Sequence, residues 1–122
     1  MEYTNAIPHQ INVYNEEGVQ LFTLSPSIYI RASTHETVIS CVDGVLITKK
    51  VLGAPVIEAQ NGTKLTVEDL PQKGLVVRTN AASSLRAAGF GGQLLTPNTD
   101  PRRVVHDTEG RIIGSTGFVQ HP

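Results

Sequence analysis

Short runs of alternating apolar and polar residues, punctuated by glycine turns, set the possibilities for this chain. Ile11-Asn12-Val13-Tyr14 and Val19-Gln20-Leu21-Phe22-Thr23 alternate with the period of a strand and flank Asn15-Glu16-Glu17-Gly18, a four-residue hairpin connection. Ser27–Ala32 is β-branched and aromatic-rich and reads as a further strand. Thr37–Val42 and Val45–Thr48 then meet at Asp43-Gly44, a pair that tolerates the positive φ angles of a tight type I′ turn. Pro55–Ala59 and Thr63–Val67 flank Asn61-Gly62 and predict a third hairpin. Leu75-Val76-Val77-Arg78 reads as a strand, and Arg103–His106 and Arg111–Gly114 enclose Asp107-Thr108-Glu109-Gly110 in the manner of the first hairpin.

One segment departs from this period. Asn80-Ala81-Ala82-Ser83-Ser84-Leu85-Arg86-Ala87-Ala88-Gly89 opens with an N-cap residue, continues through helix formers and closes on glycine at the C′ position, which predicts a helix of two to three turns. Ala81, Leu85 and Ala88 share one face, so small side chains would dock it closely onto a sheet. Phe90–Pro101, with two glycines and two prolines, reads as an ordered loop or a poorly regular strand.

Length and composition narrow the class. For 122 residues, folding takes roughly 19,000 Å² of extended-chain surface to about 6,400 Å², enough for a self-sufficient core in one domain spanning residues 1–122. Trp is absent, so Val, Ile, Leu and Ala must fill that core. Cys41 is the sole cysteine and sits in the apolar run Val38–Val42, where a buried, structural thiol is expected. It forms no intrachain disulfide, which fits a reducing compartment, and the chain carries neither a long apolar run nor a secretory leader pattern. A cytosolic protein without membrane contact is the expectation.

The formal net charge of −1 hides an asymmetry. Residues 1–70 carry four basic and eight acidic side chains, net −4, whereas residues 71–122 carry six basic and three acidic, net +3. Five of the six arginines, all but Arg31, lie in the second part. Because a guanidinium presents a planar fork that matches carboxylate or phosphate, such a set predicts an anion site. The strand-to-helix junction Arg78-Thr79-Asn80, with Ser84 and Arg86 beyond it, is the place to expect one, since a helix N-terminus exposes unpaired N–H donors and partial positive charge. His9, fixed behind Pro8, and Arg31 and Arg103 are expected as outer contacts. A bland alternative is that Asn80 only caps its own helix and His9 only ties loop to sheet.

Other chemistries find less support. No Gly-x-Ser-x-Gly elbow, P-loop or dinucleotide fingerprint is present. The four histidines lack helical zinc spacing and no cysteine pair accompanies them, so no metal site or cofactor is expected. His35-Glu36 and His106-Asp107 are sequence neighbours, which point to opposite faces of a strand. Near-neutrality and few aromatics argue against nucleic acid as a partner.

The segments Asn5-Ala6-Ile7-Pro8-His9-Gln10-Ile11-Asn12-Val13-Tyr14, Leu70-Pro71 before Gly74-Leu75-Val76-Val77, and Arg103–Gly114 ending in Gly110-Arg111-Ile112-Ile113-Gly114 together resemble a group of small proteins encoded by tailed phages and bacterial genomes. That group begins with an Asn-Leu-Thr-Pro-His motif and closes with Gly-Arg-Ile-Ile-Gly; this chain has Ala6-Ile7 in place of Leu-Thr. The resemblance covers most of the chain and implies a phage protein working in the host bacterial cytosol. By analogy of size and context, small phage proteins without catalytic motifs include sponges that trap immune nucleotides, for which a stacking ring such as Phe90 or Tyr14 would serve.

The combined expectation is a mainly β, antiparallel sandwich or partly open barrel with one short helix. Its function would be that of a non-enzymatic homo-oligomeric binder of a small phosphate-bearing molecule, an anti-defence sponge for a host cyclic nucleotide or ADP-ribose-derived signal, through His9, Arg31, Arg78, Asn80, Ser84, Arg86 and Arg103. The alternatives are a structural or protein-binding accessory phage protein and a phosphodiesterase acting on the same ligands.

Overall fold

The computed structural model describes residues 2–122 and is mainly β with one α-helix. The strands in chain order are β1 (Thr4–Asn5), β2 (Ile11–Tyr14), β3 (Gln20–Leu24), β4 (Ile28–Val42), β5 (Val45–Ala59), β6 (Leu75–Val76), β7 (Leu94–Pro97), β8 (Val104–His106), β9 (Ile112–Ser115) and β10 (Phe118–His121), and the helix α1 (Thr79–Ala87) lies between β6 and β7. They form two four-stranded sheets, β1-β6-β7-β10 and β3-β2-β9-β8, and a separate two-stranded ribbon, β4-β5. Among the described residues no sheet closes into a barrel.

The mainly β architecture with one short helix is as expected, with antiparallel pairing at β2–β3, β4–β5, β7–β10 and β8–β9, and parallel pairs join it. β1 runs parallel to β6, β6 parallel to β7, and β2 parallel to β9. Parallel neighbours cannot be joined by a tight turn. The chain therefore leaves β6, forms α1 and returns to β7, so the lone helix is the crossover that a parallel pair demands.

Alternation sorts the side chains of the β1-β6-β7-β10 sheet between two apolar clusters. Ala6, Leu75 and Leu94 face one side, where Ala81, Ala82 and Leu85 of α1 pack with Ile30 of β4 and Ile57 of β5. Ile7, Val76 and Leu95 face the other side and meet Ile11 and Val13 of β2, with Phe22 and Leu24 of β3 at the margin. This sheet is thus the middle of three layers. Leu75, Leu85 and Leu94 lose all their exposure, and each contributes about 1.5–3 kcal/mol by burial. At the β2–β9 contact, Gly114 has no room for a side chain: a Cβ there would meet the Tyr14 ring and lie 2.5 Å from the Asn12 carbonyl oxygen.

The hairpins β2–β3 and β8–β9 form as expected, and Asp43 and Gly44 adopt φ angles of +52° and +78° at the tip of β4–β5. Three expectations are corrected. Ser27–Ala32 and Thr37–Val42 belong to one fifteen-residue strand, because the polar residues between them continue the pairing with β5. Thr63–Val67 is no strand: after the Asn61-Gly62 turn only Lys64 bridges back to Glu58, and Thr66 instead caps a 3-10 turn at Val67–Asp69. Cys41 is exposed, since the β4–β5 ribbon runs clear of both clusters at that point.

Candidate functional site

The site is built from strand ends. β1, β6 and β7 are mutually parallel, so their C-terminal ends lie on one edge of the middle sheet. In open parallel sheets the crevice outside the carboxyl ends of the strands is the favoured ligand position, because loops diverge there and a crossover helix presents its N-terminus. Here Ile7 and His9 follow β1, Arg78 and Thr79 follow β6, and Pro97, Asn98 and Thr99 end β7. Together they line a cleft of about 460 Å³.

Arg78 separates this cleft from a second one of about 290 Å³, lined by Arg31, Arg78, Asn80, Tyr29 and Ala81, where the base of the β4–β5 ribbon passes the start of α1. His9 and Asn98 also border an apolar cleft of about 240 Å³ against Ile112 and Ile113 of β9. The first and third clefts share Ile7, His9, Pro97, Asn98 and Thr99, and Arg78 is the residue common to the first and second.

The loop after β1 is held by a buried amide. Asn5 is almost wholly enclosed; its Oδ1 accepts the Ile7 N–H at 2.8 Å, and its Nδ2 donates at 3.0 Å to both the His9 and the Leu24 carbonyl oxygens. This is the physical content of the Asn-x-x-Pro-His motif: Asn5 folds the next four residues so that His9 stands exposed at the edge of the clefts. His9 is tied by its backbone carbonyl, and its ring makes no hydrogen bond among the described residues.

The helix start differs from expectation in a way that matters to charge. Arg78, with φ −75° and ψ 154°, occupies the N-cap position, and no side chain caps the helix. Asn80 therefore lies in the first turn rather than before it. Arg78 O accepts from the Ala82 N–H, while the N–H groups of Thr79, Asn80 and Ala81 have no partner among the described residues. Among the described residues neither Arg31 nor Arg78 makes an ion pair or a side-chain hydrogen bond, and both are exposed beside the clefts. Two free guanidinium groups and an open helix N-terminus produce a local positive field directed into one crevice.

Four of the seven expected residues, His9, Arg31, Arg78 and Asn80, are brought together. The other three are not. Ser84 is buried and donates to the Gly53 carbonyl oxygen at 2.9 Å, fastening α1 to β5. Arg86 lies at the opposite end of the helix, where its Nη1 donates to the Phe90 and Gly92 carbonyl oxygens at 2.7 Å and its Nε to that of Pro122 at 2.9 Å. Arg103 pairs with Glu16 at 3.2 Å, joining the segment before β8 to the β2–β3 turn. In each case the fold has taken up the polar group.

The expected stacking rings, Phe90 and Tyr14, are buried in the interior. Tyr29 lines the cleft beside Arg31 and is exposed, so it is the ring this site offers. Its alternation with Ile28 and Ile30 was the available signal: neighbours of core residues on a strand face outward. Thr79 and Thr99 were also missed, and nothing in their local sequence distinguishes them. Among the described residues, no group of three His, Cys, Asp or Glu side chains is placed to hold a metal ion.

Compared with protein-family models, with curated proteins and with solved structures, the chain matches none.

Proposed function

We propose that this protein is a non-enzymatic, homo-oligomeric binder of a small phosphate-bearing molecule, sequestering a nucleotide-type signal such as a cyclic nucleotide or an ADP-ribose derivative. The observation that carries the reading is the convergence of Arg31, Arg78 and the uncapped N-terminus of α1 at the C-terminal edge of the parallel strands. A phosphate in the crevice would accept from the free N–H groups and from both guanidinium forks, and these charge-assisted bonds strengthen as water is displaced. The remainder of the ligand would lie along the clefts past His9, with Tyr29 offering a face for a planar ring. Its setting as a phage protein acting in the host bacterial cytosol rests on the motif resemblance alone.

The test is a thermal-shift panel of inorganic phosphate, ADP-ribose and cyclic mono- and dinucleotides. A ligand at 100 times its Kd stabilises the folded state by about 2.7 kcal/mol, which is roughly 10 °C for a domain of this size. Arg78→Ala and Arg31→Ala should each reduce the shift by more than half, whereas Arg103→Ala should leave it intact. Absence of any shift across the panel rejects the reading, and recovery of an altered ligand would convert it to a phosphodiesterase.

A further inference from the structure

The β4–β5 ribbon is far longer than the fold requires. Each strand has fifteen residues, about 50 Å at ~3.3 Å per residue. Its base is built into the molecule: Ile30 and Ile57 enter the core, and Gly53 accepts the Ser84 hydroxyl. Beyond that point every residue from Thr34 to Lys50 is exposed. A two-stranded hairpin alone in water is at best marginally stable, so this length of ribbon calls for a covering.

Its composition is that of a covered element. Val38, Ile39, Val42, Val45, Leu46 and Ile47 are 40–64% exposed, and Asp43 at the turn is the one charged side chain between Glu36 and Lys49. Cross-strand partners share a face, which puts Val42, Val45 and Ile47 on one side and Cys41 and Leu46 on the other. Both faces are therefore apolar, unlike a strand with one wet side. Of these six side chains, Val45, Leu46 and Ile47 belong to β5, and at roughly 80 Å² apiece they place on the order of 240 Å² of apolar surface beside its outer edge.

The two edges of the ribbon are not equivalent. β4 carries an extra residue, Ile39, between Val38 and Ser40, and such a bulge breaks the ladder against further pairing. β5 is regular from Val45 to Leu52. Because Val42 and Val45 close a two-residue turn, the backbone N–H and C=O of Leu46 point outward along the free edge of β5.

We propose that the occupant is a second copy of this chain, with β5 pairing antiparallel to β5 of the partner subunit about a two-fold axis at Leu46. The register follows from the sequence. Ile47 then lies opposite Val45 of the partner subunit, and Lys49 opposite Asp43 of the partner subunit, so apolar meets apolar and the nearest charges are of opposite sign. A two-fold contact of this kind is self-complementary and pairs the edge of β5 from Val45 to Ile47. It gives the homo-oligomer of the proposed function a surface, yet it stands on the ribbon alone and involves no residue of the anion crevice.

Sedimentation velocity at tens of micromolar protein should return a dimer, or a higher oligomer built from it. Leu46→Asp combined with Ile47→Asp should give a monomer with an unchanged unfolding temperature of the body, since these side chains are exposed in the isolated chain. In the proposed four-stranded ribbon the two Cys41 residues sit three strand spacings apart, about 14 Å, so a bis-maleimide of that reach should cross-link them. A monomeric wild type, an oligomer indifferent to the double variant, or an oligomer without the cross-link each overturns the proposal. Ligand-induced thermal shifts measured on the same variants report the anion site separately, so the two readings fail independently.

Discussion

The side-chain amide of Asn5 donates to the carbonyl oxygen of His9 at 3.0 Å, closing a loop of which the same side chain also holds the Ile7 N–H. Every polar atom of the Asn5 side chain is thus engaged in a position with almost no solvent contact.

Asn5→Ala should therefore be among the most damaging single substitutions. It leaves the Ile7 N–H and the Leu24 carbonyl without their buried partner, at a cost of about 3 kcal/mol, or roughly 10 °C in unfolding temperature. Asn5→Asp keeps the acceptor but sets a carboxylate against two carbonyl oxygens, and should be no better. Thermal and urea unfolding measure both, and a loss below about 1 kcal/mol would show that the amide is not the organiser of the loop.

Arg86 separates a structural arginine from a ligand-binding one. Its guanidinium satisfies the Phe90, Gly92 and Pro122 carbonyls and lies 6.0 Å from the Phe90 ring centre. Arg86→Ala should lower stability by about 2 kcal/mol while ligand affinity, measured calorimetrically where the variant is folded, stays within two- or threefold. Arg86→Lys should recover little, because an ammonium cannot serve three divergent carbonyls. A variant with full stability and no ligand binding would return Arg86 to the site.

The β8–β9 turn carries a pH dependence. The Arg111 backbone N–H donates to the Asp107 carboxylate at 2.9 Å and is the main cause holding its pKa below the ordinary 3.8; the Glu109 N–H and the Arg111 guanidinium reinforce it against the opposing effect of burial. A lowered carboxylate pKa stabilises the folded turn fully above 3.8, and that contribution disappears as pH falls through the lower folded value. The Glu109 and Arg111 amide resonances should hold steady from pH 7 to 4 and move only below that range. Asp107→Asn retains an acceptor oxygen and should remove the transition; movement centred above pH 4 would contradict the assignment.

What the chain reveals by itself follows the range of the interactions. The turns at Asn15–Gly18, Asp43-Gly44 and Asp107–Gly110 are local, and their residue types select the backbone angles that the structure shows. The two-residue strand β1 leaves no periodic trace, and β6, though legible as a strand at Leu75-Val76, does not show its partner; their parallel pairing is decided by cluster packing around Leu75 and Val76. The polar stretch between Ala32 and Thr37 reads as a break because a ribbon without a core beneath it has no wet and dry face to alternate. At the site, Arg78 and Asn80 were legible as the start of a helix. Ser84 and Arg86 were not separable from them: Ser84 is taken up by the Gly53 carbonyl of β5, and Arg86 lies nearly at the other end of the helix, where distant carbonyls hold it. Arg31 and His9 join the crevice only through the strand order.

The same strand order has a consequence in time. β1 finds its parallel partner in β6, and Val13 of β2 pairs with Ser115 of β9, so the strands nearest the N-terminus wait for residues far along the chain. A local hairpin such as β4–β5 closes in about 1–10 μs, whereas topologies ruled by distant pairings fold in milliseconds to seconds. The ribbon, with its exposed valines and leucine, is therefore expected to close and reopen many times before the body that anchors it is assembled. The first strands of the sequence are the last to be placed.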